Sequence, residues 1–253
     1  MQIMTVSFLS LMPQMIELRY GETALATATA FVAGVGDKVA LITNRHNVTG
    51  RNNDTGKCLS ATGGVPDNML VWHPAMRPDR EWSGQWKPHR YVLVENDLPR
   101  WIEHPKLGAK ADFVAVPLVE KIGAYLPAVE LADPEPEILV APGDPLSVVG
   151  FPFGKTAEGY GIWATGTLAS EPEVDVEQLP MFYIDCRTRQ GQSGSIVVAH
   201  RSGGWVRVLG GKTILLTEPM WTFLGIYSGR IHADSDIGRV WRRSAIRELV
   251  AAT

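Results

Sequence analysis

The chain has 253 residues, of which 45% are hydrophobic, and a formal net charge of −3. This length and apolar content exclude disordered and fibrous proteins and suffice for a sizeable buried core. The small net charge, without a run of basic residues, excludes the usual nucleic-acid-binding surface, and no apolar run reaches the length of a membrane span. We therefore expect neither a nucleic acid nor a membrane among the partners.

The first part of the chain has the pattern of short strands separated by turns. Residues 1–13 are moderately apolar, but they have neither a basic start nor a small-residue cleavage site, so no signal peptide is predicted. Strands are predicted over residues 15–19, 24–33 and 39–43, with a hairpin turn over residues 34–37.

Residues 52–88 are rich in Gly, Pro, Asp and Trp, which predicts long loops between short strands at residues 69–72 and 90–95. The tryptophans of this region fit either a peptide-binding surface or a small core of the loops themselves; they are Trp72, Trp82, Trp86 and Trp101. Three histidines lack the spacing of metal ligands and have no cysteine partners, so no metal site is predicted; they are His73, His89 and His104.

Two polar residues stand at strand boundaries in the first half. His46 lies near the end of a hydrophobic strand over residues 40–48, and Asp112 opens an alternating apolar strand over residues 111–118. Taken alone, such a histidine is usually structural and such an aspartate is usually a cap. Asp97 is the alternative aspartate, but a proline-containing segment follows it in place of an alternating strand, so Asp112 is favoured.

The second half again has a strand pattern. Prolines and glycines among acidic residues indicate a linker over residues 119–138. Strands are predicted over residues 146–150, 160–169, 181–184, 196–200, 205–209, 223–228 and 237–241, followed by a helix over residues 244–251 with Ser244 as its N-cap. Residues 150–156 are similar to a phosphate-binding loop, but three residues separate the glycines where that motif has four, and no helix pattern follows. Nucleotide binding is therefore excluded.

Ser193 lies in a glycine-rich octapeptide, residues 188–195, between two strand-like segments. Glycine lets the main chain approach a ligand, and acyl transfer needs two backbone N–H groups that point at the developing oxyanion. Gly191 and Ser193 would supply those donors. The octapeptide alone fits a polar turn equally well, and it fails the Gly-x-Ser-x-Gly pattern of α/β-hydrolases because Ser195 replaces the second glycine.

Together, His46, Asp112 and Ser193 occur in the chain order of the chymotrypsin triad. At these segments the sequence resembles the chymotrypsin-like (trypsin-fold) serine peptidases, in particular the bacterial branch of HtrA-type and glutamyl-endopeptidase-type enzymes. The resemblance implies an all-β fold of two six-stranded antiparallel β-barrels with a short C-terminal helix. The first barrel would span residues 15–118 and carry His46 and Asp112, and the second would span residues 139–253 and carry Ser193.

The resemblance also implies a serine endopeptidase that acts on peptides or proteins and needs no cofactor. Ser193 would attack the scissile carbonyl, His46 would transfer the proton, and Asp112 would orient His46. Residues 224–230 resemble the family strand that pairs with the substrate main chain. The binding residues implied there are Ser228, Gly229 and Arg230.

The implied pocket for the side chain before the cut includes Arg187 and Thr188, with Arg230 at its rim. A buried Arg187 would favour a carboxylate through charge-assisted hydrogen bonds. Thr188 matches the glutamyl endopeptidases, but Tyr227 stands where those enzymes have a histidine. The alternative is that Arg187 points to solvent and the pocket accepts small or apolar side chains.

Two alternative functions occur on this fold: a non-catalytic peptide-binding module and an HtrA-type chaperone-protease. Proteins of the second type usually have a further C-terminal domain, whereas only a short helix is predicted here. Gln192 stands where many animal digestive relatives have an aspartate that pairs with a new N-terminus, so activity without N-terminal trimming is expected. Cys58 and Cys186 are too few for a disulfide scaffold, and free thiols indicate a cytoplasmic protein. The sequence does not indicate an oligomeric state.

Overall fold

The computed structural model describes residues 6–118, 123–132 and 137–253, and most of its regular structure is β-strand. The helices of the first half are α1 (Phe8–Leu11) and α2 (Arg45–Thr49). Its strands are β1 (Pro13–Tyr20), β2 (Thr23–Val35), β3 (Lys38–Thr43), β4 (Asn68–Met76), β5 (Trp82–Val92), β6 (Val94–Glu95), β7 (Leu98–Pro99), β8 (Ile102–Glu103), β9 (Val114–Pro117) and β10 (Ala128–Glu130).

The first half is built around β2, a 13-residue strand with neighbours along both edges. The strand order of this eight-stranded sheet is β5-β4-β1-β2-β3-β9-β8, and β10 also pairs with β2. β1 begins with Pro13 opposite Phe31, and beyond that point β10 pairs in parallel with residues 32–34 of β2. Within the described residues this order does not close, so the antiparallel barrel predicted for residues 15–118 is not confirmed. β10 pairs along the edge of β2 that β1 leaves free.

Part of the predicted linker over residues 119–138 contributes to the sheet. Residues 119–122 and 133–136 lie outside the described residues, but β10 lies between them. Val129 and Leu131 are fully buried, and the Leu131 N–H donates to the Gly34 carbonyl at 2.9 Å. Burial of these two side chains explains why this segment packs against β2.

The second half forms the six-stranded barrel that the sequence predicted. Its strands are β11 (Pro145–Gly150), β12 (Ile162–Leu168), β13 (Met181–Asp185), β14 (Ile196–Arg201), β17 (Met220–Arg230) and β18 (Ile237–Arg242). Their order is β11-β12-β13-β18-β17-β14, and the barrel is closed. The predicted strand over residues 205–209 is not part of the barrel: β15 (Gly204–Arg207) pairs with β16 (Thr213–Leu216) in a separate hairpin whose Trp205 is 73% exposed.

The largest buried cluster joins the two halves. The rings of Phe31 and Phe223 lie 5.5 Å apart, and those of Phe113 and Trp241 lie 5.3 Å apart, each pair taking one ring from each half. The C-terminal helix α3 (Arg243–Ala251) covers this cluster with its apolar face. It begins one residue before the predicted helix, and its N-cap is Arg242 without a side-chain hydrogen bond, so the prediction of Ser244 as N-cap is wrong.

The tryptophan-rich region also contacts the second half. Trp82 and Trp86 pack edge-to-face against each other and against Tyr160, with ring centroids 4.9 to 5.5 Å apart. His73 is buried and bonds the Tyr91 hydroxyl at 2.8 Å, and burial lowers its pKa to about 3. This histidine is therefore a neutral core residue. In the described part of the chain, no helix has the length and apolar character needed to cross a membrane.

Candidate active site

His46 and Asp112 are held together by two hydrogen bonds. β3 ends at Thr43, and His46 lies in the first turn of α2, so the strand predicted over residues 40–48 stops earlier than expected. The Asn44 side chain donates to the Asp112 carbonyl at 2.6 Å and ties the start of the helix to the segment before β9. The His46 N–H donates to Asp112 Oδ1 at 2.9 Å, and His46 Nδ1 lies 2.7 Å from Asp112 Oδ2.

A third donor reaches the same carboxylate from the second half. The Ser228 hydroxyl donates to Asp112 Oδ2 at 2.7 Å. Burial lowers the pKa of His46, but the charge and hydrogen bond of Asp112 outweigh burial, so the pKa of His46 is raised. Asp112 therefore stabilises the charged form of the His46 ring, and Nδ1 is the ring nitrogen that faces the carboxylate.

Asp97, the alternative aspartate, lies in a hairpin turn between β6 and β7. Asn96 and Asp97 both have positive φ, at 52° and 61°, the conformation that asparagine and aspartate tolerate best among residues with a Cβ. The side chain is exposed. Its position is explained by turn geometry.

The segment before Ser193 is fixed by the loop that follows β11. The Phe153 N–H donates to the Gln190 carbonyl at 2.6 Å. Because the two polar groups of a trans peptide point in opposite directions, the N–H of Gly191 faces away from Phe153. Gly191 has φ +93°, and a Cβ there would lie 2.4 Å from the Phe151 carbonyl oxygen, so only glycine fits.

Thr29 of β2 fixes the other side of this turn. Its hydroxyl donates to the Gly191 carbonyl at 2.9 Å, and its N–H donates to the Ser193 carbonyl at 2.9 Å. Among the described residues, the N–H groups of Gly191 and Ser193 have no acceptor. Two neighbouring donors are thus available for an anionic oxygen.

Ser193 and His46 line the same two cavities, of about 240 Å³ and about 620 Å³, so both face the same cleft. No hydrogen bond joins their side chains in the part of the chain that the structure describes. Such bonds are often long in the absence of substrate and shorten in the complex.

The residues predicted to line the pocket for the side chain before the cut differ in burial. Thr188 and Tyr227 are buried and their hydroxyl groups lie 2.5 Å apart; burial raises the pKa of Tyr227 to about 12, so its phenol stays neutral. The side chain of Arg187 is 80% exposed and lies 3.8 Å from Asp236. Of the two alternatives for Arg187, the structure has the one in solvent, because the charge stays in water beside an exposed carboxylate.

The last residues of β17 provide an open edge. Pairing with β14 ends at Ile226, and β18 pairs along the opposite edge as far as Arg230. Gly229 follows a register shift and has φ +112°. Ser228, Gly229 and Arg230 line the smaller cavity, where an extended peptide can add to the edge.

Sequence reasoning missed several residues of this arrangement. Thr29 was predicted only as part of a strand, Phe153 only as part of a loop, and Ser228 only as a contact to substrate. No local signal distinguishes them, because their partners lie far away in the chain. Among the described residues, no cluster of three or more His, Cys, Asp or Glu side chains has the arrangement of a metal site.

Comparisons with known proteins agree with one another on the fold of this chain. The family model described as trypsin-like peptidase domain matches residues 28–206. A serine endoprotease from Yersinia pestis is similar over 98% of this chain with 12% identity and a TM-score of 0.53, and the match spans 66% of that protein. The active form of the Rv3671c protease from M. tuberculosis is similar over 96% of this chain and 80% of its own, with 18% identity and a TM-score of 0.50. At these identities the likeness concerns the fold. No curated protein matches the sequence.

Proposed function

The chain belongs to the trypsin-like peptidase family, and from that membership we propose that it is a serine endopeptidase acting on peptide or protein substrates. The observation that carries the proposal is the bonded pair of His46 and Asp112 in one cleft with Ser193, together with two N–H donors that have no acceptor among the described residues. A nucleophile, a base with an orienting carboxylate, and oxyanion donors are the complete set for acyl transfer.

The proposed reaction begins when the Ser193 oxygen attacks the scissile carbonyl carbon while His46 Nε2 takes the hydroxyl proton. The carbonyl oxygen becomes an oxyanion that accepts hydrogen bonds from the N–H groups of Gly191 and Ser193. His46 then gives its proton to the leaving amine as the C–N bond breaks, and the acyl group remains on Ser193. Water repeats the sequence with His46 as base and releases the acid.

Asp112 would stabilise the imidazolium formed in each step. Its carboxylate accepts hydrogen bonds from the backbone N–H and the Nδ1 of His46 and from the hydroxyl of Ser228, so the carboxylate is held in one orientation. The pKa of His46 is raised for the same reason, because the carboxylate stabilises the charged imidazole ring. The free edge at residues 228–230 would hold the main chain of the substrate before the cut.

The alternative is a non-catalytic peptide-binding module on the same fold. A fluorophosphonate probe separates the two, because it bonds covalently only to an activated serine. Labelling of Ser193, identified by mass spectrometry, supports an enzyme, and an intact unlabelled chain contradicts the proposal. An HtrA-type chaperone-protease is a further candidate of the same chemistry and would label in the same way.

Ser193→Ala tests the role of the nucleophile. We expect turnover of a peptide substrate to fall by about 10⁴- to 10⁶-fold with unchanged thermal unfolding. Ser195→Ala is the matched control, since Ser195 is fully buried two residues away, and it should cost far less activity. Retained hydrolysis in a clean Ser193→Ala preparation would refute the proposal.

A further inference from the structure

The cleft has two cavities of opposite chemistry that meet at His46 and Ser193. The smaller, of about 240 Å³, is lined by six charged residues: Asp54, Lys110, Asp112, Glu177, Arg230 and Arg239. The larger, of about 620 Å³, has no Asp, Glu, Lys or Arg among the described residues that line it. Its size lies within the range of about 300–1,000 Å³ typical of ligand cavities.

The larger cavity has mostly apolar walls. They come from β1, β2 and the loop over residues 59–66, and include Leu18, Ala24, Leu25, Ala26, Leu59 and Pro66. Its polar lining consists of neutral hydroxyl and amide side chains together with the site residues themselves. A charged side chain entering here would lose water without gaining a partner, whereas an apolar side chain would gain by burial.

The cavity is built onto the helix that carries His46. Gly50 caps the C-terminus of α2, and its carbonyl accepts the Leu59 N–H at 2.8 Å. A Cβ at Gly50 would lie 2.6 Å from Pro66, and one at Gly64 would lie 2.8 Å from Leu25, so the loop packs closely on both. These contacts hold the apolar wall at a fixed place relative to His46.

The proposed function assigns the two cavities to the two sides of the cut. The edge at residues 228–230, proposed to hold the substrate before the cut, lines only the charged cavity. Gln190 and Gly191 line only the apolar cavity, which shares His46 and Ser193 with the charged one. In the proposed reaction the leaving amine, to which His46 gives its proton, would then depart toward the apolar cavity.

We infer that the apolar cavity binds a large apolar side chain, such as Leu, Ile, Phe or Met, at the first or second substrate residue after the cut. This inference rests on the proposed endopeptidase function and names its substrate class. It places a main determinant of specificity on the leaving-group side of the cleft.

Digestion of a peptide library, with cleavage positions read by mass spectrometry, tests the inference. We expect enrichment of large apolar residues at the first or second position after the cut. Matched peptides with Leu or Gly at the enriched position should differ by on the order of 10- to 100-fold in kcat/KM. Cleavage at Ser193-dependent sites without such enrichment would overturn the inference and leave the endopeptidase function intact.

Two variants test the cavity wall directly. Leu25→Asp and Ala24→Asp each place a carboxylate in the wall at a position that is not fully buried, and should replace the apolar preference by enrichment of Lys and Arg. Leu215→Asp is the matched control, because Leu215 is 56% exposed and lines neither cavity; it should keep the wild-type profile. An unchanged profile in both wall variants would overturn the inference.

The fluorophosphonate probe distinguishes the two levels of failure. If the wild-type chain labels at Ser193 and cleaves peptides without a leaving-side preference, only the cavity assignment is wrong. If it neither labels nor cleaves, the endopeptidase function is wrong and the cavity assignment falls with it.

Discussion

Replacement of Asp112 by asparagine is the sharpest test of the proposed catalytic pair. Both carboxylate oxygens act only as acceptors: Oδ1 accepts the His46 N–H at 2.9 Å, and Oδ2 lies 2.7 Å from His46 Nδ1 and from the Ser228 hydroxyl. An asparagine has one acceptor oxygen. With its NH₂ at the Oδ2 position it makes His46 Nδ1 an acceptor, which puts the proton on Nε2, where the base must be free. With its NH₂ at the Oδ1 position, the asparagine places a donor against the backbone N–H of His46, which then has no acceptor there.

The expected loss follows from that tautomer reversal. The corresponding change in the chymotrypsin-type triad lowers kcat by about 10⁴-fold. This equals roughly 5.4 kcal/mol at about 1.36 kcal/mol per tenfold. Ser228→Ala removes one hydrogen bond to the carboxylate and keeps its charge, so it should cost at most on the order of 100-fold, corresponding to about 1.5–3 kcal/mol for a bond to a charged group.

The assay is steady-state hydrolysis of a fluorogenic peptide, with thermal unfolding measured on the same preparations. Asp97→Asn is the matched control, because Asp97 lies exposed in a hairpin turn that asparagine also tolerates, and we expect wild-type kcat. The reasoning is refuted if Asp112→Asn retains kcat within tenfold of wild type, or if Asp97→Asn loses as much as Asp112→Asn.

Three further measurements examine other parts of the structure. Because the pKa of His46 is raised from 6.5, kcat/KM should fall with decreasing pH, and the midpoint of that fall should lie above pH 6.5. The stability that protonated His46 contributes to the fold is present below its unfolded pKa and is lost as pH rises through its folded pKa. A midpoint below 6.5 contradicts this. Gly191→Ala places a Cβ 2.4 Å from the Phe151 carbonyl oxygen, so the N–H of residue 191 should be displaced and kcat should fall by about 10²- to 10³-fold. Hydrolysis and the rate of fluorophosphonate labelling measure this loss. Wild-type rates would exclude an oxyanion role for Gly191. Leu9→Ala should destabilise by about 2–5 kcal/mol in urea unfolding, since Leu9 is 1% exposed in the core shared by both halves; an effect below about 0.5 kcal/mol would contradict its packing role.

Activity without N-terminal trimming, expected from Gln192, stays a prediction, and the segment before β1 is where it can be tested. Ser10 accepts the Gly161 N–H through its carbonyl at 2.9 Å and the Trp163 indole N–H through its hydroxyl at 2.9 Å. The segment before β1 is therefore bonded to the second half, and its removal should weaken the barrel. Activity of the full chain, and its loss on removal of residues 1–12, would be seen in the same hydrolysis assay.

The sequence by itself determined the strand segments and the residues to examine. Alternation of apolar side chains reports which face of a strand is buried, and this signal is local, so the strands of the closed barrel were found near their true positions. The order of His46, Asp112 and Ser193 singled out three residues from a chain with many other polar side chains. Their catalytic roles stay predictions that the proposed experiments test.

Tertiary structure decided what surrounds those residues. Ser228 and Asp112 are 116 positions apart, and Thr29 and Gly191 are 162 apart, so their hydrogen bonds exist only because the two halves pack through a common core. β10 pairs with the edge of β2 that β1 leaves free, and no local pattern specifies that pairing. Arg187 has the residue type for an acidic pocket, yet its guanidinium lies in solvent near Asp236. Side-chain direction follows from the free energy of solvating or pairing a charge in the folded chain, and that depends on neighbours that only the fold brings together.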